Sequence, residues 1–136
     1  MISNNTKKIK AAITAIGGYI PDDFISNKDL EKMVDTNDEW ITERTGIKKR
    51  RILKLKGKAT SYLAINAAND LIKKKKLDPK TIDLVILSTI TPDFHGASTA
   101  PTVASEINAS NAYAFDINAA CSGFLFGMST ATSYIE

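Results

Sequence analysis

The order of hydrophobic runs in this 136-residue chain predicts an α/β fold, a mostly parallel or mixed sheet covered by helices. Three observations carry that prediction. IDLVILSTI, Ile82 to Ile90, is a near-continuous β-branched and leucine run, as expected of a strand buried on both faces. The preceding ATSYLAINAANDLIKKKK repeats apolar pairs every four residues (Leu63/Ala64, Ala67/Ala68, Leu71/Ile72), the period of a helix. A second buried strand, Ala112 to Ile117, follows a weaker helical stretch from Ser98 to Ala109, so neighbouring strands run parallel through right-handed crossovers.

The remaining elements follow in order. Ile9 to Ile16 reads as a first strand, ended by Gly17-Gly18. Ser26 and Asp29 have capping-box spacing ahead of a helical face of Leu30, Met33 and Val34, and Thr36 with Glu39 repeats the box before Trp40 and Ile41. Two short tandem helices are expected, the second closed by Gly46. Arg50 to Leu55 suits a short extended piece, and Asp78-Pro79 stops the long helix. No linker, repeat or low-complexity segment interrupts the chain.

Composition narrows the function classes. The hydrophobic and charged fractions, 43% and 24%, are those of an ordinary globular domain with room for one core. A net charge of +3 is too mild to imply a nucleic-acid partner, although bases cluster in Lys48 to Arg51 and Lys73 to Lys76. The second cluster ends a helix, where cations oppose the negative pole of the dipole. A single cysteine forms no internal disulfide and, beside a single histidine, makes no zinc site; it suits a reducing cytoplasm. The first 20 residues lack a cleavage signal, and no apolar run reaches membrane-spanning length.

That lone thiol, Cys121, lies in DINAACSGFLFGMSTA at the junction of a buried strand and an apolar helix. In parallel sheets reactive groups gather at the carboxyl ends of strands. The first N–H groups of the following helix and its dipole would favour a thiolate there. Small neighbours (Ala119, Ala120, Ser122, Gly123) would admit a substrate carbonyl, as at a strand–turn–helix nucleophile elbow. A buried, inert cysteine is the competing reading. Gly123 and Gly127, four apart on one face, predict a close helix contact whichever holds.

Two stretches, LEKMVDTNDEWITERTGIKKRRI (Leu30 to Ile52) and AFDINAACSGFLFGMSTA (Ala114 to Ala131), closely resemble β-ketoacyl-acyl carrier protein synthase III, the thiolase-fold enzyme that initiates type II fatty acid synthesis. The resemblance implies that Cys121 attacks a short acyl-coenzyme A, and that the acyl-enzyme then condenses with malonyl-acyl carrier protein. It implies an oxyanion hole using the Cys121 N–H. Coenzyme A contacts fall on Trp40 and Arg44, with Thr36 beside them, and Lys48 to Arg51 would add positive potential. No tightly bound cofactor or metal is implied. The partners implied are acyl-CoA, malonyl-acyl carrier protein and a second copy in a homodimer, in the cytoplasm, without nucleic acid or membrane.

The family's His and Asn, which stabilise the enolate, have no counterpart here, and His95 is not that His. The resemblance therefore implies that residues 1–136 are an N-terminal, nucleophile-bearing part with the C-terminal half absent, and that a large apolar face is left open. In the loop Phe94 to Ser98, small Gly96 and Ala97 would leave room for primers longer or more branched than acetyl. Another thiolase-fold initiator, or a fragment acting only as a binding module, are the alternatives.

Overall fold

The computed structural model describes residues 10–136, which divide into two compact units, Ile20–Lys58 and a second made of Ala59–Glu136 with the described residues up to Tyr19. In the smaller unit, strand β1 (Phe24–Ser26) leads into a single helical turn, α1 (Asn27–Leu30). Helix α2 (Asp38–Thr45) follows, and strand β2 (Lys49–Arg51) returns antiparallel to β1, with Ile25 opposite Arg50. The expected capping box closes α1: the Ser26 hydroxyl accepts the Asp29 N–H, and the Asp29 carboxylate accepts the Ser26 N–H at 3.0 Å. The second box is not formed by Thr36. Asn37 is the cap instead, its side-chain oxygen accepting the Trp40 N–H at 2.7 Å. With the cap one residue nearer the helix, the third helical N–H that it satisfies is that of Trp40 instead of Glu39. Gly46 ends α2 in the left-handed region (φ +69°).

One buried side chain joins all of these pieces. Asn27 is 1% exposed. Its amide nitrogen donates to Asp38 Oδ1 (2.7 Å), Thr42 Oγ1 (3.3 Å) and the Ile47 carbonyl (2.7 Å), while its oxygen accepts from the Arg50 guanidinium (2.8 Å). Arg50 is thereby drawn inward, and Arg51 donates to the carbonyls of Pro21 and Asp22. Two of the four bases in the Lys48 to Arg51 run are thus spent on backbone and amide acceptors, which leaves Lys48 and Lys49 for the added positive potential expected of it.

In the larger unit, helix α3 (Thr60–Lys75) precedes strand β3 (Leu84–Ser88), helix α4 (Ala100–Glu106), strand β4 (Tyr113–Ile117) and helix α5 (Gly123–Ile135). Strands β3 and β4 pair in parallel, with Ile86 opposite Phe115. Alternation along β3 separates its two faces. Val85 and Leu87 pack with Ala64, Ile65 and Ala68 of α3 onto the buried cluster Val103, Ala104, Ile107 and Ala109. Ile86 and Ser88 face α5. Helices thus lie on both faces of the parallel pair, but β3 is only half-buried, not buried on both faces as the unbroken apolar run predicts, because its α5 side opens onto a cleft. The expected strand over Ile9 to Ile16 does not form in the described residues, and Ile9 lies outside them. Residues 10–16 pair with no strand, Ile13 and Ile16 stay exposed, and the segment is tied to α3 through Gly18 N–H to Asp70 (2.9 Å). Without a neighbouring edge to complete its ladder, an apolar run has no reason to hold a strand.

Replacing Asn27 with Ala is expected to cost about 2–3 kcal/mol, because a buried carbonyl and a guanidinium lose their partner. Urea unfolding followed by the fluorescence of Trp40, the single tryptophan, measures this in its own unit. The hydrogen bond from Asn27 holds the Asp38 carboxyl below its ordinary 3.8. A carboxyl lowered by folding contributes stability that is complete above the unfolded value and is lost as pH falls through the lower folded one. Asp38→Asn should therefore flatten the pH dependence of unfolding below about pH 4. An unchanged acid limb would show that Asp38 is not linked to folding.

Candidate active site

The candidate nucleophile stands where strand β4 ends. Beyond Ile117 the chain makes a 3-10 turn, Ala120–Ser122, and enters α5 at Gly123. Cys121 is exposed and lies directly before the helix cap, Ser122. The sequence leads one to expect the first helical N–H groups to point at the sulfur. Those of Ser122 and Gly123 instead donate to the carbonyls of Ala119 and Ala120, closing the turn on itself. Ala120 takes φ +44°, a left-handed conformation costing roughly 1–2 kcal/mol for a residue with a Cβ. Backbone strain beside a reactive side chain survives only where the surroundings over-determine it.

Two polar anchors supply that constraint. On β4, both oxygens of Asp116 are bound, accepting the N–H groups of Thr99 and Ala100 at 2.7 Å each. Helix α4 has no cap from its own Thr99 side chain, so a carboxylate from the neighbouring strand does that work at the positive end of the helix. The Thr99 hydroxyl accepts the Asp93 N–H (2.9 Å), and the Asp93 carboxylate accepts the N–H of Ser61 in the first turn of α3 (2.9 Å). This relay ties β4, α4, the loop after β3, and α3. Where the turn passes into α5, Ser88 at the end of β3 donates to the Gly123 carbonyl at 2.8 Å.

None of Asp116, Asp93, Thr99 and Ser88 was singled out from the sequence. Asp116 left a signal, since a carboxylate inside the apolar run AFDIN needs buried donors. Ser88 left none.

In the other unit, Trp40 and Arg44 meet on the exposed face of α2. The Arg44 guanidinium lies 4.8 Å from the centre of the indole, and the ring remains 51% exposed. Thr36 is half-buried just before the Asn37 cap. The loop Phe94–Ala97 is pinched by a bridge between its ends, with Gly96 at φ +83° and Phe94 and His95 exposed. Glycine at 96 is thus demanded by the backbone, and only Ala97 speaks for extra room. Among the described residues there is no cluster of side chains suited to a metal ion, and no helix is long and apolar enough to cross a membrane.

The family described as 3-oxoacyl-[acyl-carrier-protein] synthase III matches residues 115–136, the segment from β4 through Cys121 to the end of α5. Over 129 residues, 95% of this chain, it is 54% identical to the β-ketoacyl-[acyl-carrier-protein] synthase III of Porphyromonas gingivalis, covering 38% of that protein. Over nearly its whole length this chain is thus similar to part of a synthase III. The synthase III of Chlorobium chlorochromatii is likewise 54% identical over 94% of the chain and 39% of its own length. The crystal structure of 3-oxoacyl-[acyl-carrier-protein] synthase III from Aquifex aeolicus superposes with a TM-score of 0.84 at 46% identity, over 94% of this chain and 40% of that one. The fold is thus the thiolase-like α/β fold of these synthases. The chain spans 38–39% of the length of the curated relatives it matches.

Ala120→Gly removes the left-handed strain of roughly 1–2 kcal/mol but adds roughly 0.4–1 kcal/mol of unfolded-state freedom. The net expectation is a gain of up to about 1.6 kcal/mol in urea unfolding. A loss of stability would mean that the turn holds no strain.

Proposed function

We propose that the protein carrying this chain is an initiating β-ketoacyl-acyl carrier protein synthase III, and that Cys121 is its acyl acceptor. The observation that carries this reading is an exposed cysteine in a strained turn between a parallel strand and a helix, inside the segment matched by the family. The sulfur attacks the thioester carbonyl of a short acyl-CoA. Its new C–S bond replaces the one to CoA, and CoA leaves as the thiol. The oxyanion formed on the way is held by backbone N–H groups, that of Cys121 among them. Malonyl-acyl carrier protein then loses carbon dioxide, and the resulting enolate carbon attacks the acyl group. The Cys121 thiolate is released with a β-ketoacyl product.

Trp40 and Arg44 are the proposed coenzyme A contacts, with Thr36 beside them. Their support is physical: an exposed indole offers a face for adenine, and the guanidinium stacked on it offers donors for phosphate. The same reading takes malonyl-acyl carrier protein and a second copy of the chain as partners, in the cytoplasm. The 54% identity to the β-ketoacyl-[acyl-carrier-protein] synthase III of Porphyromonas gingivalis supports the initiating condensing role.

Incubation with acetyl- or isobutyryl-CoA should raise the intact mass by one acyl group, and Cys121→Ser should abolish the gain. No gain would sink the acyl-transfer reading for this chain; acylation without a condensed product on adding malonyl-acyl carrier protein would favour a binding role. Trp40→Ala is expected to raise KM for acyl-CoA about tenfold, the usual cost of losing one base–aromatic stack. An unchanged KM would remove Trp40 from the coenzyme site.

A further inference from the structure

Three small residues meet where α5 packs on β3, just after the turn that carries Cys121. The Ser88 side chain lies in the gap left by Gly123 and Gly127, one turn apart on α5. A Cβ at Gly123 would come within 3.0 Å of Ser88 Cβ, and a Cβ at Gly127 within 2.9 Å of Ser88 Oγ. Beyond that hydroxyl, the nearest atom to the second site is Ile86 Cγ2 at 4.0 Å. The hydroxyl cannot swing aside freely, because it donates to the Gly123 carbonyl at 2.8 Å. That carbonyl belongs to the first residue of α5, two positions after Cys121. The helix therefore rests on β3 at a height set by one oxygen atom.

We propose that Ser88 is a positioning residue for Cys121: its contact with Gly123 and Gly127 fixes the height of the first turn of α5, and through it the place of the thiol. The proposal rests on Cys121 being the acyl acceptor. It makes an asymmetric forecast. A methyl added at position 127 meets a single removable atom, whereas a methyl added at position 123 meets the Cβ that every residue but glycine carries.

The test uses the full-length protein with Gly127→Ala, Ser88→Ala, their double variant, Gly123→Ala, and Gly123→Ala with Ser88→Ala. Each is read by kcat and KM for acylation from acetyl-CoA, by the rate of Cys121 alkylation with iodoacetamide, and by thermal midpoint. Gly127→Ala should lower kcat for acylation by at least about tenfold with KM unmoved, since sub-ångström to ångström misplacement of a reacting group carries that scale of loss. Ser88→Ala should lose about threefold through its missing hydrogen bond. The double variant should recover to the Ser88→Ala level, the non-additivity expected of two groups in contact. Gly123→Ala should not be rescued.

A double variant no better than Gly127→Ala would overturn the proposal. So would a lowered thermal midpoint with unchanged alkylation and acylation, which would make the contact structural only. Should Gly127→Ala alone fail to fold, the double variant still decides: a reactive Cys121 supports the contact, and an unreactive one overturns it. A parent protein alkylated normally but never acylated would sink the acyl-transfer reading instead, and the alkylation rates would still judge Ser88.

Discussion

The carboxylate of Asp116 accepts the N–H groups of Thr99 and Ala100, and the arrangement of the larger unit around Cys121 depends on that pair of bonds. A carboxylate inside a strand is costly unless its lone pairs are filled, and the start of a helix has orphan donors to fill them. Each need is met by the other. Because Asp116 is on β4 and its donors open α4, the bonds fix the strand end from which the thiol turn departs. Through Thr99 and Asp93 the same constraint reaches Ser61 in α3. The turn carrying Cys121 therefore springs from a strand anchored on one side, and its exit into α5 is held by Ser88 on the other.

The smaller unit applies the same logic with a neutral group. Asn27 has donors and an acceptor on one side chain, so a single buried amide joins α1, α2, the loop at Ile47 and β2 without burying a net charge. Satisfying these groups internally leaves the outer face of α2 free for Trp40 and Arg44. Their stacking orients both side chains on that face.

Helix α5 carries a different burden. Only Gly123 on it is buried, while Phe124 and Leu125 are 71% and 68% exposed. An apolar cleft of about 660 Å³ runs beside it, lined by Ile86, Phe124, Met128, Ala131 and Tyr134 among others. This is the open apolar face that the resemblance predicts, on a chain spanning 38–39% of its relatives' length.

The order and pattern of apolar residues were enough to place α3, β3, α4 and β4 within a few residues, because a repeat of four and an unbroken β-branched run each suit one kind of element. Local chemistry was enough for the Ser26 box and the Gly46 cap, whose partners lie within four residues. The family motif singled out Cys121, and Trp40 with Arg44, as candidates. The strand expected at Ile9 to Ile16 does not form in the described residues because an apolar run bounded by glycines does not supply the neighbour that a strand's backbone requires. The cap moved from Thr36 to Asn37 because both residues suit the role and geometry chose between them. Asp116, Asn27 and Ser88 were decided only in three dimensions. Their partners are 11 to 35 residues away, and a hydrogen bond across that distance leaves no spacing to read until the chain has folded.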